Sequence, residues 1–490
     1  MIRRPAALLA IVSILAAPAC VCAAAPSAAD LSGTWAGVMT HAGERQPVAL
    51  TLEPDTSGRL LVRISIPVVH FDHVPMALAA PRLENDSLVI GPFRFRREAG
   101  DTLSGNVPRG LIPRYGVPMR LGRAASFAVP PRAPMTAPLA TPLWTYDAGS
   151  PLWAGPTFAN GTLYVGALDG RVIALDAQTG TKRWESRTGG AVRARPTIDG
   201  NALYVQADDG RLYRLDAATG RQVWSVRVVA EPVVRRPFSD PKTRYDRFSS
   251  AVRVVGAKLY VGTHDGTLLA LDARSGRQLW SFAAGDAILA APALAGGVLY
   301  AGSFDHHVYA VDAATGRLRW KRDTGGAVVS TPAVAGGRVI VGDRAYDLLG
   351  LDAATGEVRW TRYLWMSWIE SSAVVSDGVA YVGSAEAARV LACDAATGRK
   401  LWSTDVGGWS WGQPAVGARR VYACTSSQAG YPTGIGGGVV ALDRATGAPA
   451  WQFVSAVPDT GSYGFPGSPA LGMDRVFASG LDGRVLAFPL

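Results

Sequence analysis

Seven times in this 490-residue chain an aspartate stands eight residues before a tryptophan: Asp176/Trp184, Asp216/Trp224, Asp272/Trp280, Asp312/Trp320, Asp352/Trp360, Asp394/Trp402 and Asp443/Trp451. Each pair belongs to one phrase, Ala-x-Asp-x-x-Thr-Gly-x-x-x-Trp, which reads ALDAQTGTKRW at Ala174 to Trp184 and returns with small lapses roughly every 40 residues. A phrase held at that period marks a repeat, in which each unit can bury its apolar faces only against its neighbours.

One period carries four short strands. In residues 156–184, PTFA is followed by an Asn160-Gly161 turn, TLYVGA by Asp169-Gly170, and RVIALDA by Thr179-Gly180, before the strand that bears Trp184. Asn-Gly and Asp-Gly supply the positive φ angles of tight hairpins. A four-stranded meander repeated round a ring is a β-propeller blade. Seven phrases give seven blades. An eighth starts near Pro469 and runs through GLDGRVLAFPL without a tryptophan strand, while Trp144 stands 40 residues before Trp184. An N-terminal strand completing the last sheet would close the ring and leave no open edge. The expected fold is all-β, with an eight-bladed propeller over residues 143–490 docked by Trp144, Trp184, Trp224, Trp280, Trp320, Trp360, Trp402 and Trp451.

The phrase resembles the tryptophan-docking motif of the pyrroloquinoline-quinone (PQQ) repeat, and the resemblance covers about residues 142–490. That repeat occurs in eight-bladed quinoprotein dehydrogenases and in BamB, a lipoprotein subunit of the outer-membrane assembly machine. The motif is structural and serves an enzyme and a scaffold alike, so it implies the fold and leaves the function open.

Ahead of the propeller the composition changes. Residues 1–25 have the form of a secretory signal, with Arg3-Arg4, an apolar Ala6 to Ala17 and small residues at Val21 to Ala25. A periplasmic or secreted protein is expected. Cys20 in LAAPAC is the residue a lipid anchor would use, against a poor match at Ala17 and Pro18. Residues 30–123 do not follow the repeat; their alternating strands predict a small antiparallel β-barrel or sandwich. Gly33-x-Trp35-x-Gly37 and the closing PMRLGR loosely resemble the lipocalin-like β domain found ahead of some secreted hydrolases. Residues 124–142 form a Pro/Ala-rich linker. The formal charge of +10 comes from dispersed arginines with no lysine run, which argues against nucleic acid and allows peripheral attraction to acidic envelope surfaces. Cys393 and Cys424 fall on neighbouring blades, either as a disulfide or as two buried thiols. Oligomeric state has no signal.

Departures from the repeat point to one face. Extra residues lie in AEPVVRRPFSDPKTRYDRFSS, in TSSQAGYPTGIGGGVV and in AVPDTGSYGFPG. All fall in blade-to-blade connections or second-to-third-strand turns, which emerge together. Of fourteen tryptophans, eight dock blades and Trp35 belongs to the front domain; the remaining five, Trp153, Trp365, Trp368, Trp409 and Trp411, sit in connections on that face. Arg193, Arg195, Arg235, Arg236, Arg244, Arg247, Glu370 and Gln413 come from the same connections, and Tyr463 from the last insertion. Blades 5, 6 and 7 have also lost the Asp-Gly turn there. An aromatic, arginine-rich mouth over a channel suits an anionic or planar ligand, a carbohydrate or a partner's peptide.

The resemblance to quinoprotein dehydrogenases implies a quinone stacked between a tryptophan and a vicinal disulfide, with calcium held by Glu and Asn. Trp411 or Trp368 could stack, Arg193 could pair a carboxylate and Glu370 could be a ligand. No Cys-Cys pair is present, and the propeller's asparagines, Asn160 and Asn201, stand in turns of the opposite face. No haem site, nucleophile elbow, zincin or phosphate-loop motif occurs. The expected role is therefore binding or scaffolding in the envelope, with an envelope protein or an anionic or planar ligand at the mouth, no catalytic residue, no metal and no cofactor. A divergent dehydrogenase using PQQ with calcium, or a hydrolase or lyase in the same mouth, is the alternative.

Overall fold

The computed structural model describes residues 31–41, 44–57, 59–76, 81–84, 87–90, 93–98, 102–107, 117–236, 247–431 and 433–490. The expected signal, with Cys20 and Cys22, lies outside the described residues, as does Arg244. Two compact units divide the chain, one centred on the N-terminal segment and one on the repeats.

The repeats form eight four-stranded antiparallel sheets, with one added strand in the seventh. Blade 1 comprises Thr157–Ala159, Thr162–Gly166, Arg171–Asp176 and Lys182–Arg187, and the others follow in chain order. Second strands such as Thr162–Gly166 are buried along their whole length, because each blade has a neighbour on both faces. Apolar clusters accordingly mix adjacent blades: Tyr164, Val172 and Ala174 of blade 1 pack with Leu203, Val205 and Leu215 of blade 2.

The repeated phrase is a turn and a dock in one. Asp176 Oδ1 accepts hydrogen bonds from the Gln178 and Thr179 backbone N–H groups at 2.9 Å each, and the Thr179 hydroxyl bonds it at 3.1 Å. Arg183 and these donors hold the Asp176 carboxyl down to about 2. Gly180 then turns at φ 74°. A Cβ there would stand 2.5 Å from the Trp144 ring, and one at Gly220 2.5 Å from Trp184. The glycine is thus the floor on which the preceding blade's indole rests. The indole Nε1 donates to a main-chain carbonyl beside the next blade's aspartate: Trp184 to Ala217 at 3.0 Å, Trp280 to Ala313 at 3.2 Å, Trp402 to Arg444 at 3.1 Å. Opposite the tryptophan, pairing shifts from Ala174↔Trp184 to Leu175↔Lys182, a bulge repeated in blades 1 to 7.

Ring closure follows the expected route. Trp144–Asp147 pairs with Arg484–Pro489 as the outer strand of blade 8. Blade 8 therefore has no Asp-x-x-Thr-Gly hairpin of its own. Trp451, which faces it, meets Phe488 at 5.4 Å, and its buried Nε1 has no acceptor among the described residues. Pro138 and Ala140, read from sequence as linker, bond Gln452 alongside it at 2.9 and 2.7 Å.

Among the described residues the N-terminal unit is one nine-stranded antiparallel sheet curled into a half-barrel, rather than two packed layers. Gly33–His41 lies between Glu44–Pro54 and the central strand Val117–Ala124. Trp35 is fully buried, donates to the Leu31 carbonyl at 3.1 Å and carries the Arg123 guanidinium 4.4 Å from its ring centre. A side chain at Gly37 would strike the Arg120 carbonyl of the neighbouring strand at 1.8 Å. These contacts account for the Gly-x-Trp-x-Gly spacing. Cys393 and Cys424 are free thiols, buried in separate cores.

Candidate functional site

The first strands and the blade connections surround a central cavity of about 490 Å³. Of the residues expected at the mouth, Trp153, Arg193, Arg195, Glu370, Trp411 and Gln413 line it. Trp153 enters between blades 8 and 1, Trp411 between blades 6 and 7. Their rings stack at 6.2 Å with planes 28° apart. Trp411 stacks in turn on Trp409 at 5.0 Å, and Trp409 meets the edge of Tyr431 at 4.7 Å. On the other side Trp153 contacts Phe248 edge-on at 6.1 Å. The guanidinium groups of Arg193 and Arg247 stand 5.8 and 5.7 Å from the Trp153 ring centre. Five aromatic rings therefore run in contact across the face, with two cations against one of them.

The arginines differ in their partners. Asp208, in the second-to-third-strand turn of blade 2, accepts from both Arg193 and Arg235 at 2.9 Å. Arg235 also bonds Ser249 Oγ and His264 Nε2 at 2.8 Å each. Arg195 Nε donates to the Pro156 carbonyl at 3.1 Å and the Thr157 hydroxyl at 3.3 Å.

Between blades 5 and 6 the Asp-Gly turns are replaced by a buried polar group. Glu370 accepts from Arg344 at 2.5–2.6 Å, and both side chains are more than nine-tenths buried. Glu386, also buried, accepts the Trp368 backbone N–H at 2.9 Å. Burial pushes the Glu386 carboxyl up to about 7, with the Glu370 charge adding to the rise. Tyr346 takes φ 72° at the position held by Gly170 and Gly210 in other blades.

Three expected mouth residues lie elsewhere. Trp365 packs edge-on against Tyr363 at 5.2 Å, and Trp368 stands 4.6 Å from the Arg344 guanidinium; neither lines the cavity. Tyr463 sits in the strand Ser462–Gly464, paired to Ser426–Gln428, and its hydroxyl is spent on the Ile435 carbonyl at 3.1 Å. Gln413 Nε2 bonds the Ala373 carbonyl at 3.3 Å. Sequence reading missed Asp208, Phe248, Phe304, Arg344, Glu386 and Tyr431. Arg344 and Glu386 were signalled by the lost Asp-Gly turns; Phe248 and Tyr431 lie within long insertions with no pattern to mark them.

Trp411, Arg193 and Glu370 share one cavity, yet each is engaged: by two indoles, by Asp208 and by Arg344. The cysteines are far from vicinal, and no group of three or more His, Cys, Asp or Glu among the described residues is placed to hold a metal. These residues do not fit a quinone–calcium centre.

Eight tryptophan-docked blades around an aromatic, arginine-bearing channel define a PQQ-type eight-bladed propeller. The family model described as "Outer membrane protein assembly factor BamB" matches residues 137–281, 264–368 and 362–490, and the chain belongs to that family. No curated protein matches the sequence. Among solved structures, BamB from Moraxella catarrhalis is 19% identical with a TM-score of 0.56, covering 72% of this chain and 100% of its own. The computationally designed Ika8 protein gives 17% and 0.58, over 70% and 98%. The quinohemoprotein alcohol dehydrogenase ADHIIG from Pseudomonas putida HK5 gives 16% and 0.54, over 72% and 76%. At these identities the likeness shows the fold.

Proposed function

We propose that this chain is an exported binding and scaffolding protein of the cell envelope, and that its partner docks on the channel face. The aromatic run from Phe248 to Tyr431 carries the reading: Trp153 and Trp409 are buried and hold the part-exposed Phe248, Trp411 and Tyr431 beside arginine charge on the face where the repeat is broken, a composition enriched at interface hot spots. Family membership and the engagement of Glu370 and Arg193 in ion pairs support binding over catalysis.

Site-specific photo-cross-linking in intact cells tests it. A photo-reactive side chain at the position of Trp411 should give a discrete envelope adduct. One at Ala218, exposed in a turn of the opposite face, should not. Equal labelling from both faces, or none from position 411, would reject the reading, and fractionation of the cells reports export directly.

A further inference from the structure

The titratable residues lining the cavity are three arginines, Arg193, Arg195 and Arg253, against one glutamate, Glu370. Glu370 is neutralised by Arg344, and Arg193 shares Asp208 with Arg235. Arg195 has no such relief. Its Nε is tied to Pro156 and Thr157, which fixes the plane of the guanidinium, and its two Nη nitrogens have no hydrogen-bond partner among the described residues. Burial pushes its pKa below the ordinary arginine value and no carboxylate opposes the shift, yet a guanidinium stays protonated in proteins. Arg195 is part-buried in the cavity wall with no carboxylate beside it, and an anion received there would offset the cost of its partial desolvation. Arg253, from the first strand of blade 3, adds a second positive charge to the same walls. The rest of the lining mixes apolar side chains such as Leu289, Val329 and Ala373 with polar ones such as Ser249, Thr331 and Gln413.

We infer that the central channel is a binding site for a small organic carboxylate, anchored by the Nη groups of Arg195. The planar guanidinium presents two parallel donors that match a carboxylate's two oxygens. The apolar side chains of the mixed lining would cover the ligand's body, and about 490 Å³ falls within the ordinary range for a small-molecule pocket. The inference deepens the proposed role of the channel face but is separable from it: cross-linking at position 411 needs no carboxylate, and carboxylate binding needs no partner chain.

Calorimetric titration of the purified full-length chain with benzoate, benzamide and inorganic phosphate, at low ionic strength, tests it. Benzoate should bind at least tenfold more tightly than its neutral analogue benzamide and more tightly than phosphate. Arg195→Gln should weaken benzoate at least tenfold without changing benzamide. Arg195→Lys, which keeps the charge but loses the fork, should weaken it severalfold and serves if the glutamine variant does not fold. Absence of benzoate binding, equal binding by the folded Arg195 variants, or preference for phosphate would each overturn the assignment.

Discussion

Arg344 and Glu370 form an ion pair of 2.5 Å, with the guanidinium 4.9 Å from the Phe304 ring centre and 4.6 Å from that of Trp368. Both charged ends are shielded from water, so the pair stands or falls together. Removing either partner breaks the ion pair and leaves the other charge buried. Glu370→Gln should lower stability by about 3–5 kcal/mol, whereas Arg344→Met combined with Glu370→Leu should recover much of that loss. Guanidinium-chloride unfolding of the three proteins checks this; equal losses from the single and double variants would contradict it.

The docking tryptophans separate packing from hydrogen bonding. Trp184 donates to the Ala217 carbonyl at 3.0 Å, while Trp451 has no acceptor. Trp184→Phe should cost about 0.5–1.5 kcal/mol more than Trp451→Phe, because only the first removes a hydrogen bond, although the Tyr164 hydroxyl still donates to the same Ala217 carbonyl at 3.2 Å. Denaturant midpoints of the two variants decide the point.

Two turn glycines isolate the role of the floor. Gly200 and Gly220 both have positive φ, 56° and 73°, but a Cβ at Gly200 meets nothing within 4 Å, while one at Gly220 meets the Trp184 ring at 2.5 Å. Gly200→Ala should cost only the left-handed backbone penalty, about 1 kcal/mol. Gly220→Ala should cost at least about 2 kcal/mol and shift the environment of Trp184, visible in near-ultraviolet circular dichroism.

Glu386 sets a pH dependence. Its folded carboxyl is raised to about 7 by burial, above its ordinary value of 4.5. The folded state therefore binds the extra proton between those values. Stability contributed by the neutral acid is present below about pH 4.5 and is lost as pH rises through 7, a change on the order of 3 kcal/mol. Glu386→Gln should remove this slope, so the variant should gain on the parent between pH 5 and pH 8. Parallel unfolding curves at the two pH values, with no relative gain, would refute the assignment.

The blade count and the closing strand were legible because the signal is local and repeated: the aspartate shapes its own turn and the tryptophan rests on the next glycine. The face carrying the cavity was legible for a similar reason, since Trp153 and Trp411 stand where blade connections must emerge. Their stacking was not. It depends on closure bringing the blade 8–1 and 6–7 connections together, a relation with no footprint in nearby residues. Tyr463 shows the converse, a residue on the right face whose hydroxyl goes to a backbone carbonyl. The front domain's alternating strands predicted β structure but could not distinguish a layered sandwich from one curled sheet, because both bury alternate residues.

The clasp of Trp144–Asp147 on Arg484–Pro489 also carries a timetable. In synthesis the first half of the clasp leaves the ribosome before blade 1, and its mate follows only after blade 7. Until then Trp144–Asp147 lacks its partner strand and the finished blades form an open arc. A chain halted before Arg484 would be not a smaller propeller but an open one, with Trp144–Asp147 free to pair with whatever strand it meets.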